Sequence, residues 1–260
     1  MASQTLDPDL VVQTPPRTAR RSLTGYVLMP AILAAACLAL YLYVGSHDLD
    51  SIESRSLNAP RLVQAIWEHI QLTAVSTVLT LVIAIPLGVV LTRPFTRRIR
   101  PYLLTLLTLG QAVPTIAVLV LLAVAFLFLG FKAAIVGLVL YAIIPVLLNT
   151  MVGLEQVDPA VLEAGRGMGM SKATVLRRLE LPLSIPIMLA GVRTALVINV
   201  GTATLTTYIN AGGLGDIIVA GLSTNRVLVQ IVGAALTAVL ALLIDYLAGI
   251  AEDFLRPKGL

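Results

Sequence analysis

Six apolar runs dominate the chain, each close to or above the roughly 20 residues that a helix needs to cross a bilayer. They cover residues 26–44, 70–92, 102–129, 133–152, 183–206 and 227–250. Only 12% of the 260 residues are charged and 58% are hydrophobic, where a soluble domain carries about 25% charged residues. Both a soluble domain and a disordered chain are therefore excluded. The composition predicts an all-α polytopic membrane protein of about six transmembrane helices. The single cysteine, Cys37, leaves no intramolecular disulfide framework and no cysteine-based zinc site.

The net charge of +4 does not point to nucleic acid, because the basic residues sit between the apolar runs. They orient the chain instead. With the amino terminus inside and six alternating spans, thirteen Lys and Arg fall inside and four outside, and Arg193 lies within a span. The positive-inside rule then places both termini in the cytoplasm. Residues 1–22 read as a disordered cytoplasmic tail, residues 23–65 as the first transmembrane helix and a periplasmic loop, and residues 252–260 as a cytoplasmic tail. Residues 102–129 are too long for one straight helix, and Gly110-Gln111-Ala112-Val113-Pro114 predicts a kink there.

The inside loop after the fourth span carries the most information. Asp158 suits a helix N-cap and Pro159 its first turn. Gly167 and Gly169 end that helix, Ser171 caps a second one, and Pro182 disfavours running it unbroken into the membrane. A short helix, a glycine turn and a second helix thus form a compact knob suited to a groove on a partner.

Glu163-Ala164-Gly165, Gly169, and Leu179-Glu180-Leu181-Pro182 at this spacing resemble the signature loop of bacterial ABC-importer permeases. The usual pattern has Ala at Gly165 and Ile at Leu179. The resemblance implies that Glu163, Ala164, Gly165, Gly169, Leu179, Leu181 and Pro182 form a coupling segment that docks on an ATP-hydrolysing subunit. It extends over about residues 66–245 through Gln111-Ala112-Val113-Pro114-Thr115, Tyr141-Ala142-Ile143-Ile144-Pro145 with Asn149-Thr150, Gly191-Val192-Arg193-Thr194-Ala195, and Ala211-Gly212-Gly213-Leu214-Gly215-Asp216. These segments are similar to permeases for glycine betaine, carnitine, choline and related osmoprotectants. Methionine permeases are similar over the signature loop and the glycine-rich segment. Residues 66–251 are accordingly identified as an ABC permease transmembrane domain.

The remaining polar residues have structural and functional readings side by side. Arg193 in the fifth span is costly in lipid and calls for a partner, with Asp245 within reach. Asn149 and Asn199 suit hydrogen bonds between helices. Tyr208, Gly212, Gly213 and Gly215 lie in an outside segment that is either a gate or a plain loop. With Asn149, Arg193 and Asn199 they form the candidate pathway or gate set. His47 and His69 are isolated, so no metal site is expected. The chain has no nucleophile paired with a base and no phosphate-binding loop.

The resemblance implies a permease subunit of an ATP-driven importer in the bacterial cytoplasmic membrane. It implies no bound cofactor, ATP used by partner ATPase subunits, a second permease chain, and an extracytoplasmic substrate-binding protein. Two alternatives stay open. One is an ABC permease for methionine or another small solute, and the other is an ion-gradient-driven transporter.

Overall fold

The computed structural model describes residues 23–255, and all their regular structure is helical. The tail expected at residues 1–22 lies outside the described residues, and of the tail expected at 252–260 the residues 252–255 instead continue α11 while 256–260 lie outside the described residues. In chain order the helices are α1 (Leu23–Gly45), α2 (Ser51–Ser56), α3 (Ala59–Leu91), α4 (Arg100–Ala112), α5 (Thr115–Ala125) and α6 (Phe131–Glu155). They continue with α7 (Pro159–Gly167), α8 (Lys172–Val175), α9 (Leu181–Ala203), α10 (Leu214–Ser223) and α11 (Val227–Leu255).

Five helical stretches are long and apolar enough to cross a bilayer, and α4 with α5 makes a sixth if counted as one broken span. Side-chain contacts show that this pair crosses. Arg100 at the start of α4 pairs with Glu155 at the end of α6. The chain then reaches Phe131, the opposite end of a 25-residue α6 that is about 37 Å long. The break at Val113–Pro114 is sharper than the kink that the sequence predicts, an 89° bend between two separate helices.

Two contacts also fix the parity of the crossings. Tyr26 Oη near the start of α1 donates to Asp253 Oδ2 at 3.0 Å, and Tyr246 Oη donates to the Tyr26 carbonyl at 2.7 Å. The start of α1 and the end of α11 therefore share one end of the molecule, as an even number of crossings requires.

α3, α6 and α9 form the centre. Apolar side chains gain little by leaving lipid for each other, so packing and small residues must hold such helices together. A Cβ on Gly88 of α3 would stand 2.7 Å from Thr150 Cγ2 of α6, and one on Gly153 of α6 would stand 3.1 Å from the Ser184 carbonyl of α9. A Cβ on Gly191 of α9 would meet the Pro145 carbonyl of α6 at 2.7 Å. Ala84, Ala142, Val146, Leu147 and Ala195 are fully buried at this junction. α10 and α11 pack on one flank, and α1 lies outside α11 with nearly all of its surface open to lipid.

Three sequence expectations change. The second span starts at Ala59, capped by Asn58 Oδ1 on the Arg61 N–H at 2.9 Å, and not at residue 70. Arg61, Glu68 and His69 turn inward on the protein from this first part of the helix. The glycine-rich segment after the fifth span is no plain loop. It holds a 3₁₀ turn (Thr204–Ile209) and α10, whose Leu214 and Ile217 are buried. Finally, Pro182 does not interrupt the helix. A π-turn at Leu176–Glu180 joins α8 to α9, and the Leu181 N–H bonds to the Leu176 carbonyl. The wider turn relieves the clash that the proline ring would have with the carbonyl four residues back.

Two glycines of α9 make the packing testable. Gly191→Ala places a methyl against backbone and should cost about 1–3 kcal/mol. Gly201 has nothing within 4 Å of its Cβ position, so Gly201→Ala should be neutral or gain up to about 1 kcal/mol of helix propensity. The thermal midpoint of the detergent-solubilised chain, followed by size-exclusion chromatography, should fall for the first and hold or rise for the second.

Candidate functional site

The knob between α6 and α9 is built as its sequence dictates. Asp158 Oδ1 accepts from the Ala160 N–H at 2.8 Å and starts α7. α7 ends at Gly167, and just beyond it Gly169 takes a φ of +84°, the left-handed conformation that glycine adopts without strain. The Met170 N–H closes the turn on the Gly165 carbonyl at 3.1 Å. Ser171 Oγ then accepts from the Thr174 N–H at 3.3 Å to begin α8.

The knob has two faces. Gly165, Val175 and Glu180 are buried, and Leu179, Leu181 and Pro182 are half-buried. Val161, Glu163, Ala164 and Met168 are exposed, Met168 at 72%. All seven residues expected to form a coupling segment thus belong to one compact unit, with Glu163 and Ala164 on its free surface. Gly165 and Leu179, the two departures from the usual pattern, touch each other. A Cβ on Gly165 would stand 2.6 Å from Leu179 Cδ1. The longer Leu occupies the space that an alanine methyl would need, so the two departures compensate.

The knob is braced to the centre by pairs that sequence reasoning missed. Glu180 is 5% exposed, and its carboxylate accepts from Arg93 Nη2 at 2.5 Å and Nη1 at 3.4 Å. Arg93 also donates from Nε to the Val89 carbonyl at 3.1 Å, which caps the end of α3. Arg100 and Glu155 form a second pair at this end. The partners stand far apart in sequence, and the only signal was that acids interrupt basic segments.

The break in the third span is fixed by another unpredicted contact. Pro145 has no N–H to give the Tyr141 carbonyl, so that acceptor is free within α6. Gln111 Nε2 donates to it at 3.0 Å, and Tyr141 Oη donates to the Val113 carbonyl. Two of the motifs singled out in the sequence are therefore one contact.

The candidate pathway residues fall in separate places. Asn199 crosses helices as expected, Nδ2 donating to Thr77 Oγ1 of α3 at 3.0 Å. Such bonds contribute about 0.6 kcal/mol on average in membranes, so this one fixes register more than it stabilises. Asn149 does not cross. Its Nδ2 donates to the Pro145 carbonyl of its own helix at 2.8 Å, and its Cβ seats Gly191. Arg193 has Asp245 of α11 as its partner, with Nη2 2.6 Å from Oδ2.

At the end opposite the knob, Gly212 and Gly213 take φ of +82° and +97° and bring the chain against α3. Glu68 Oε2 accepts from the Gly213 N–H at 2.9 Å. His69 is fully buried, its Nδ1 accepting from the Leu214 N–H at 3.3 Å and its Nε2 lying 2.9 Å from the Val200 carbonyl. Two α3 side chains thus cap α10. Arg61 holds Asp216 at 3.0 Å, so α10 runs antiparallel to α3. Gly215 leaves no room for a Cβ against the Thr204 carbonyl. Tyr208 is 51% exposed. His69, isolated in the sequence, is a buried junction of three elements, and its packing was invisible without the fold. Nearby, Asp50 caps α2 and reaches Arg226 at 2.7 Å. The Glu53 N–H holds its carboxyl below the ordinary value; desolvation opposes it, and the Ile52 N–H and Arg226 add smaller effects in the lowering direction.

The Gly165–Leu179 contact carries a stability test. Gly165→Ala alone should lower the thermal midpoint by the equivalent of about 1–3 kcal/mol. Adding Leu179→Ile should recover most of that loss, and additive losses in the double variant would rule out compensation.

Comparison with known proteins agrees with this architecture. Residues 84–258 match the family described as the binding-protein-dependent transport system inner membrane component. The carnitine transport permease protein OpuCD of Listeria monocytogenes is 39% identical over 207 residues, 79% of this chain and 92% of that protein. The glycine betaine/carnitine/choline transport system permease protein OpuCB of Bacillus subtilis is 36% identical over 203 residues, 78% and 92% of the two chains. Among solved structures, an inward-facing MetNI methionine ABC transporter superposes with a TM-score of 0.67 at 24% identity, covering 77% of this chain and 100% of that one. With the helical core, the knob and this extent of similarity in agreement, the chain belongs to the inner membrane permease family of binding-protein-dependent ABC transport systems.

Proposed function

We propose that the chain forms the translocation path of an ATP-driven importer for a quaternary-amine osmoprotectant such as glycine betaine, choline or carnitine. The relatives named for these solutes support the substrate class. The observation that carries the coupling role is the knob, with Glu163, Ala164, Val161 and Met168 free on one face and the other face seated on the membrane helices. In this reading the knob end is cytoplasmic, in keeping with the charge distribution. Two copies of an ATPase grip the knobs of two permease chains. ATP binding draws the knobs together and opens the path outward, and a loaded binding protein delivers its solute. Hydrolysis returns the path inward, so ATP and the binding protein bias one two-state element.

Recognition of a quaternary ammonium relies on faces of aromatic rings. Aromatic residues make up 5% of the chain, which favours primary recognition by the binding protein. Arg193 is paired to Asp245, which favours a structural role for that charge. The glycine turn at Gly212–Gly213, locked by Glu68 and His69, is the element best placed to act as a gate at the outer end, with Tyr208 beside it.

Glu163→Lys should leave membrane insertion intact, abolish copurification of the ATPase, and lower ATP-driven uptake at least about tenfold. Undiminished uptake would sink the coupling role. The solute class is tested by extracting the tagged chain mildly and identifying its partners by mass spectrometry. An ATPase and a binding protein that takes up betaine, choline or carnitine in calorimetric titration is the expected result. Binding of methionine alone would move the substrate assignment. A lone chain that transports in liposomes without ATP would replace the importer with a gradient-driven carrier.

A further inference from the structure

We infer that Arg93 and Glu180 form a latch that passes movement of the knob to the membrane core, making both positioning residues for the coupling of ATP hydrolysis to transport. The inference rests on the coupling role proposed above and assigns its mechanical link. The knob leads into α9 through the π-turn Leu176–Glu180, a local widening of the helix of the kind often found at functional sites. A displacement applied to α7 or α8 reaches that turn first. Left alone, the turn could absorb it by bending.

Glu180 is the last residue of the turn, and its buried carboxylate is held by both terminal nitrogens of Arg93. The same guanidinium is tied through Nε to the Val89 carbonyl, and Thr96 Oγ1 donates to the Val90 carbonyl at 3.0 Å or the Arg93 carbonyl at 2.8 Å, closing that end of α3. The latch therefore joins the turn to α3. α3 in turn meets α6 backbone to side chain at Gly88 and Thr150, and α6 meets α9 at Gly153 and Ser184. Braced in this way, the knob and the three central helices move together, and the push cannot be spent within the turn.

A partly buried ion pair of this kind is a poor stability device, because desolvation offsets most of its attraction. Its place suits a mechanical role better. Arg93 lies at the end of the second span and Glu180 within the signature segment, between Leu179 and Leu181-Pro182.

The test uses the complete transporter in proteoliposomes, with ATP and binding protein, and radiolabelled glycine betaine, choline and carnitine supplied together. The readout is solute accumulated per ATP hydrolysed. Glu180→Gln and Arg93→Gln should each lower this ratio about threefold to thirtyfold, the range over which single residues modulate coupling. The exchanged pair Arg93→Glu with Glu180→Arg should restore most of it. A merely structural pair would change the amount of assembled complex and leave the ratio of what assembles unchanged, and that result overturns the latch. If the neutralised chains do not assemble, the exchanged pair decides. Assembled and coupled, it supports the latch; assembled but uncoupled, or not assembled, it overturns it. Failure of the proposed function looks different, because the wild-type complex itself would then accumulate none of the three solutes.

Discussion

The close approach of α3, α6 and α9 is the constraint on which the other features depend. In a bilayer these helices gain nothing by hiding apolar surface from water, since lipid already does so. They hold together because Gly88, Gly153 and Gly191 let neighbouring backbones and short side chains touch. Dispersion contacts accumulate over such a surface, while each polar bond across it adds little. The arrangement places the fixed ends of the knob, the break in the third span and the cap of α10 relative to one another.

Proline acts around this centre as a generator of partners. Pro145 frees a carbonyl that Gln111 fills, so a defect in α6 becomes the anchor for the broken span. Pro182 is met by a π-turn, and the turn is braced from α3. Both of these irregularities are answered by a side chain from elsewhere in the chain. An isolated irregularity would expose backbone polar groups to hydrocarbon, which is costly.

Much of this was legible in the sequence. Apolar runs gave the crossings because their length is set by bilayer thickness, and Asp158, Gly169 and Ser171 gave the knob because caps and left-handed turns are local. What escaped was non-local. His69 read as an isolated histidine, yet it and Glu68 turn inward to cap α10. The helix through Pro182 escaped because proline statistics describe α-helices and not wider turns. The partners of Glu180 and of Gln111 stand 87 and 30 residues away, and no local rule connects residues at such separations. Among the pathway candidates, Asn149, Arg193 and Asn199 were chosen by polarity inside spans, and at Asn199 and Arg193 that polarity locks one helix to another.

The outermost helix has a consequence of another kind. α1 rests on α11 and leaves its apolar surface to lipid, so it does little to hold the core together. Its weight lies in counting. It brings the number of crossings to six and sets its start beside the end of α11. Without it the remaining spans would be odd in number, and the two ends of the bundle would emerge on opposite faces. α1 thus sets the parity of the bundle, and with it the shared end of the first and last described helices, more than it holds the finished fold together.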